Sequence, residues 1–274
     1  MPELPEVETV RRGLLPHIRA TRITGVTVRQ AKLRYLIPTA QLQTEMLGQA
    51  VVGLRRRAKY LLLDFAQGSL LIHLGMTGVL KVVTPDTPLE KHDHVDFALN
   101  QGKILRFKDT RRFGALLWLT QPDTHPLLAH LGVEPLSPDF NSTDFATQLK
   151  RTRRPIKLAL MDQRLVVGVG NIYASEALFA ARIHPQKPAQ MLHQVEIEAL
   201  VQAVKTILQK ALSEGGTTFR DFLNIEGNPG YFKQTLQVYG RKNEPCRICS
   251  HPIQKIVIGQ RASYFCSHCQ DLLS

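Results

Sequence analysis

The sequence predicts an α+β protein of several domains. An N-terminal antiparallel β-sandwich with flanking helices is followed by a helical region that ends in a four-cysteine hairpin. Three observations predict this. Eight short β-rich runs fall within the first 120 residues, at Ile23–Val28, Val51–Leu54, Tyr60–Phe65, Ser69–Leu74, Val79–Val83, Val95–Leu99, Ile104–Phe107 and Ala115–Leu119, mostly separated by Gly, Pro or Asn. Runs this short and this punctuated fit an antiparallel sandwich or barrel, not a parallel sheet with crossover helices. Beyond residue 142 the apolar spacing becomes helical, and the four cysteines all lie between positions 246 and 269.

In chain order, Val7, Val10 and Leu14 recur at helical spacing between Pro5 and Leu15, with Glu6 and Glu8 early and Arg11 and Arg12 late, as a helix dipole favours. The run Arg55-Arg56-Arg57-Ala58-Lys59 leads into the apolar strand at Tyr60 and reads as a basic tip on a rigid element; a solvated charge run is the plainer alternative. His73-Leu74-Gly75-Met76-Thr77-Gly78 closes the next strand in a glycine-bounded loop that exposes Met76, although a methionine taken alone is a common core filler. Lys91-His92-Asp93-His94 places two histidines on one face of a strand, with no third ligand in sequence reach to complete a metal site. Asp109-Thr110-Arg111-Arg112-Phe113-Gly114 forms a second exposed tip with two guanidinium groups and a ring.

Four prolines between residues 121 and 142 mark a linker, leaving a domain over 1–120. The helical region over 143–240 carries Thr143–Lys150, Ile156–Met161, Ile172–Ala181 and Val195–Leu212. Lys150, Arg151, Arg153, Arg154 and Lys157 gather there as a candidate phosphate track. Gly168-Val169-Gly170-Asn171 stands at a helix start, where free N–H groups suit a phosphate and where Asn171 is equally an ordinary N-cap. Gly215 to Gly230 reads as either a lid or a surface loop.

Over 241–274, Cys246-x2-Cys249 and Cys266-x2-Cys269 each offer two thiolates, separated by sixteen residues that read as a hairpin turning at Gly259-Gln260-Arg261. One structural zinc ion in a closed four-thiolate shell is expected. Such a shell has no open position for a substrate, so the ion would hold the hairpin and leave Arg261 as the group presented.

Bulk composition narrows the partner. The chain has 274 residues, 43% hydrophobic and 21% charged, with a net charge of +12. It is long enough for two ordinary domains, and its basicity points to a polyanion, since each cation set against a phosphate releases a condensed counterion. Neither a run of eighteen apolar residues nor a secretory leader is present, so a cytosolic protein, a monomer without membrane attachment, is expected.

The first residues then carry chemistry. With Met1 removed, Pro2 presents a secondary amine that titrates near pH ~7.7–8.0, against ~10.4 for a lysine, so at neutral pH it is far more often a free nucleophile. Attack on a sugar C1′ by such an amine yields a cationic iminium, which eases a later β-elimination, and Glu3 stands beside it to move protons. The plain alternative is that Pro2 and Pro5 stiffen the start of a helix.

Met1-Pro2-Glu3-Leu4-Pro5-Glu6-Val7-Glu8-Thr9-Val10 resembles the opening of the formamidopyrimidine-DNA glycosylase family, and the likeness runs essentially end to end. Leu4 and Glu6 place the chain nearer the oxidised-purine branch than the endonuclease VIII branch. The resemblance implies a helix–two-turn–helix domain around Val167–Tyr173, and a partner that is double-stranded DNA holding an oxidised purine or an abasic site. It implies phosphate contact near the lesion, with help in elimination, for Lys59 in Arg-Arg-Ala-Lys-Tyr and for Arg261 in Gly-Gln-Arg. It implies a wedge of Met76, Arg111 and Phe113 in the vacated stack, with Arg111 reading the opposite base, and backbone contacts for His73, His92, Arg153 and Asn171. The sequence departs from the family at Thr110, where proline is usual, which leaves the stiffness of that tip open. A non-catalytic damage-binding zinc protein and an oxidised-pyrimidine glycosylase are the competing readings.

Overall fold

The computed structural model describes residues 1–215 and 235–272. Helix α1 (Leu4–Ile18) opens the chain, with Glu3 as its N-cap and Glu6 completing a capping box. Strand β1 (Ile23–Val28), the short helix α2 (Thr39–Met46) and strands β2 (Gly53–Arg57), β3 (Tyr60–Phe65), β4 (Gly68–His73), β5 (Gly78–Val83), β6 (Asp93–Leu99), β7 (Lys103–Asp109) and β8 (Ala115–Leu119) follow. The strands form two four-stranded antiparallel sheets, ordered β1-β6-β7-β5 and β2-β3-β4-β8. Phe97, Phe107 and Leu80 of the first sheet share one buried cluster with Leu61, Leu63, Leu70 and Ile72 of the second, and α1 adds Val7, Val10 and Leu14 to it. This is the expected sandwich with a flanking helix.

Helix α1 is fastened to β2 by charge as well as by its apolar stripe. Glu8 accepts from Arg11 at 2.8 Å, Arg12 at 3.0 Å and Arg56 at 3.3 Å, while Arg11 also donates to the Leu54 carbonyl. The head of the helix is thereby set against the β2–β3 hairpin.

Among the described residues, the chain beyond β8 is helical before its closing hairpin. It comprises α3 (Pro126–Ala129), α4 (Ser142–Leu149), α5 (Ile156–Leu160), α6 (Asn171–Ala180), α7 (Gln194–Ser213) and the hairpin β9 (Gln254–Ile258) with β10 (Arg261–Phe265). Among the described residues, Met1–Ala129 forms one compact unit and His130–Glu214 with 235–272 another. Phe140, in the proline-rich stretch, is buried edge-on to Phe145 of α4, so this part of the stretch packs as core. No described helix is long and apolar enough to cross a membrane.

Candidate nucleic-acid and catalytic site

In the first unit the candidate nucleophile sits at a locked helix start. Pro2 is buried, and Glu3 and Glu6 are only 3% and 2% exposed. The Glu6 carboxylate accepts the Glu3 backbone N–H at 2.8 Å, fixing the peptide that joins Pro2 to Glu3. Glu6 therefore does more than complement the dipole: it holds the chain end in one orientation.

Lys59 lies in the two-residue turn of the β2–β3 hairpin, after Ala58 in a left-handed conformation, and is itself buried. His73 ends β4, with its ring 5.1 Å from that of Tyr60. Burial, then the charges of Arg34 and Lys59, push its pKa down to about 4, so the imidazole is neutral at physiological pH. Its Nδ1 accepts the Gly75 N–H at 3.1 Å, which leaves the proton on Nε2 as a donor. Arg34 was missed by sequence reasoning. It lies in an irregular segment after β1, and only the fold brings its charge to His73.

The two predicted tips meet. Gly75 has φ +62°, and a Cβ there would stand 2.4 Å from the Phe113 carbonyl carbon. Met76 and Phe113 stay exposed, and the Arg111 guanidinium lies over the Phe113 ring at 4.8 Å. His92 differs from expectation. It precedes β6 in a left-handed conformation, φ 77°, and is half-buried, whereas His94 is buried with Nε2 2.8 Å from the Asp109 carbonyl. The two rings stand edge to face with centroids 5.9 Å apart, but His92 lies outside the strand, so they do not share a strand face.

In the second unit Asn171 is the first residue of α6 and Gly170 is its N-cap, so the N-cap reading of Asn171 is corrected. The Asn171 amide donates to the Ala262 carbonyl at 2.9 Å. Lys157 is also corrected: it is fully buried, donates to the same carbonyl at 3.2 Å and to Ser263 Oγ at 2.7 Å, and is no part of an exposed phosphate track. Arg154 is paired with Asp162, while Arg153 is exposed and, among the described residues, has no ion-pair partner. Arg261 begins β10 instead of lying in the turn. Gly259 and Gln260 make that turn, both left-handed, as a two-residue hairpin prefers. The four cysteine sulfurs lie within 4.8 Å of one another. Tetrahedral zinc with Zn–S near ~2.3 Å places sulfurs about 3.8 Å apart, which this cluster fits. Four sulfurs packed this closely, two of them on buried residues, form a donor set suited to a tetrahedral thiophilic cation.

Known proteins share all of these parts in one order. Residues 1–116 match the sequence model of the formamidopyrimidine-DNA glycosylase N-terminal domain, 131–222 that of the formamidopyrimidine-DNA glycosylase H2TH domain, and 243–272 that of the zinc finger found in FPG and IleRS. The chain belongs to the formamidopyrimidine-DNA glycosylase family. It is 52% identical to the formamidopyrimidine-DNA glycosylase of Shewanella loihica over 98% of this chain and 99% of that one. Against the Escherichia coli O6:H1 protein of the same name the identity is 50%, over 98% of this chain and 100% of the relative. Among solved structures, a Lactococcus lactis FPG mutant bound to Fapy-dG DNA superposes with a TM-score of 0.92 at 36% identity, covering 98% of this chain and 100% of that chain. The Lactococcus lactis Fpg complex with abasic-site DNA gives a TM-score of 0.91 at 36% identity, over 98% and 99%. The formamidopyrimidine-DNA glycosylase family comprises DNA glycosylase/AP lyases, and the four cysteines here hold one structural zinc ion. The expected lid lies outside the described residues, apart from Gly215.

Proposed function

We propose that this enzyme excises oxidised purines, 8-oxoguanine opposite cytosine and formamidopyrimidines, from duplex DNA in the bacterial cytoplasm and then nicks the strand. In this reading Met1 is removed and the Pro2 nitrogen uses its lone pair to attack C1′. The glycosidic bond breaks, its electron pair leaves with the base, and Glu3 supplies and removes the protons needed for ring opening and iminium formation. Loss of a C2′ proton then expels the 3′ phosphate, and a second elimination expels the 5′ phosphate. Lys59 and Arg261 anchor those phosphates, and His73, His92, Arg153 and Asn171 hold the flanking backbone. The cysteines Cys246, Cys249, Cys266 and Cys269 keep the hairpin folded around zinc.

The observation that carries this reading is the buried, capping-box-locked Pro2–Glu3 start of α1 in a chain that matches the family at both ends. Borohydride reduction on lesion duplexes tests it. A covalent adduct mapping to Pro2 is expected with 8-oxoguanine opposite cytosine. An adduct on another amine, or none, overturns it, and preferential cleavage of thymine glycol duplexes would move the chain to the oxidised-pyrimidine class.

A further inference from the structure

We propose that Thr77 and Asp109 are positioning residues for the opposite-base-reading tip, and that their hydrogen bond supplies the stiffness that a proline at position 110 would otherwise give. The inference rests on the proposed wedge of Met76, Arg111 and Phe113. Asp109 is fully buried at the end of β7, and its two carboxylate oxygens serve two loops. Oδ1 accepts from Thr77 Oγ1 at 2.5 Å, and Oδ2 accepts from the Gly114 N–H at 2.8 Å. Thr77 Oγ1 in turn accepts the Arg111 N–H at 2.9 Å. One hydroxyl and one carboxylate thus bind the loop of Met76 to both sides of the Arg111–Phe113 tip.

Steric contacts close the same joint. A Cβ at Gly114 would come within 2.8 Å of the His73 carbonyl, just as one at Gly75 would strike Phe113. Proline stiffens a tip by fixing φ in the unfolded chain as well as the folded one. A threonine at 110 lacks that restraint, but the cross-tie removes the need for it, since Arg111 cannot turn without surrendering its partly buried hydrogen bond to Thr77. The wedge and the reading arginine should therefore enter the stack as one body.

Three variants test this: Thr77→Val, Thr77→Ser and Thr110→Pro. In the free protein, amide exchange at Arg111 and Gly114 should be slow and should accelerate in Thr77→Val, a readout independent of any activity. On DNA, Thr77→Val should lose discrimination between cytosine and adenine opposite 8-oxoguanine by about two- to tenfold, the worth of one neutral hydrogen bond. Its borohydride adduct with single-stranded abasic DNA, where no partner base exists, should equal that of the parent. Thr77→Ser should restore discrimination. Thr110→Pro should restore part of it in the valine background while changing the parent less than about twofold. Unchanged exchange and unchanged discrimination in Thr77→Val overturn the proposal, as does a gain from Thr110→Pro alone. Loss of the adduct in the parent itself would sink the catalytic reading instead and leave the exchange result standing.

Discussion

His73 illustrates how a single side chain is tuned by its place in the fold. A histidine beside two cations and out of water is held neutral, and in the proposed function it would still have to meet an anionic backbone. The Gly75 N–H resolves this by occupying Nδ1 and leaving Nε2–H as a donor. Its pKa near 4 lies below the ordinary 6.5, so the unfolded chain binds the proton more readily than the folded one between those values. Stability from this residue is therefore complete above pH ~6.5 and is lost as pH falls from there toward 4. Between pH 7 and pH 5 the loss should be about 2 kcal/mol. Urea midpoints of the parent and His73→Gln over that range check it: the slope should flatten in the variant. Nothing in the sequence around His73 announces this, because Arg34 reaches it only through the fold.

At the scale of elements, regular apolar patterns were legible and buried polar ones were not. Strands β3 and β8 match their predicted limits because each carries an unbroken apolar run, Leu61–Leu63 and Ala115–Leu119, most of it buried. Strands β6 and β7 extend beyond prediction through the buried polar residues Asp93, His94 and Asp109, which carry no apolar signal in the sequence. Helix α2 escaped notice since only Leu42 and Met46 face inward and no side chain caps it. Likewise the tie between Thr77 and Asp109 joins residues 32 apart and exists only after folding.

The closing hairpin was legible from its cysteines, but its anchorage was not. Gly259 sits against Leu158, where a Cβ would come within 2.6 Å of Cδ2, and its φ is +53°. Gly259→Ala should therefore cost about 1–2 kcal/mol in left-handed strain alone, seen as a lower thermal midpoint with zinc content unchanged. Cys249→Ser should instead release the metal. A colourimetric zinc assay should read loss of bound zinc, and amide exchange should show β9 and β10 opening together.

For the molecule as a whole, charge governs how it meets a polyanion, and the exposed Arg153 and the buried Lys157 separate function from folding. A net charge of +12 supports non-specific binding whose logarithm falls linearly with that of salt, with a slope of about 0.9 per phosphate neutralised. Arg153 is exposed, so Arg153→Ala should make that slope shallower by about 0.9 while leaving thermal stability within about 0.5 kcal/mol of the parent. Lys157 contributes equally to the formal charge but is sealed under the hairpin. Lys157→Met should leave the salt slope as it was, yet deprive the Ala262 carbonyl and Ser263 of a donor, at about 1–3 kcal/mol of stability. Fluorescence polarisation with a lesion-free duplex between about 50 and about 200 mM salt, set beside urea unfolding of the same variants, makes the comparison. If Arg153→Ala keeps the parent slope, the exposed run at 150–154 does not track phosphate, and the basicity of this chain acts through other residues.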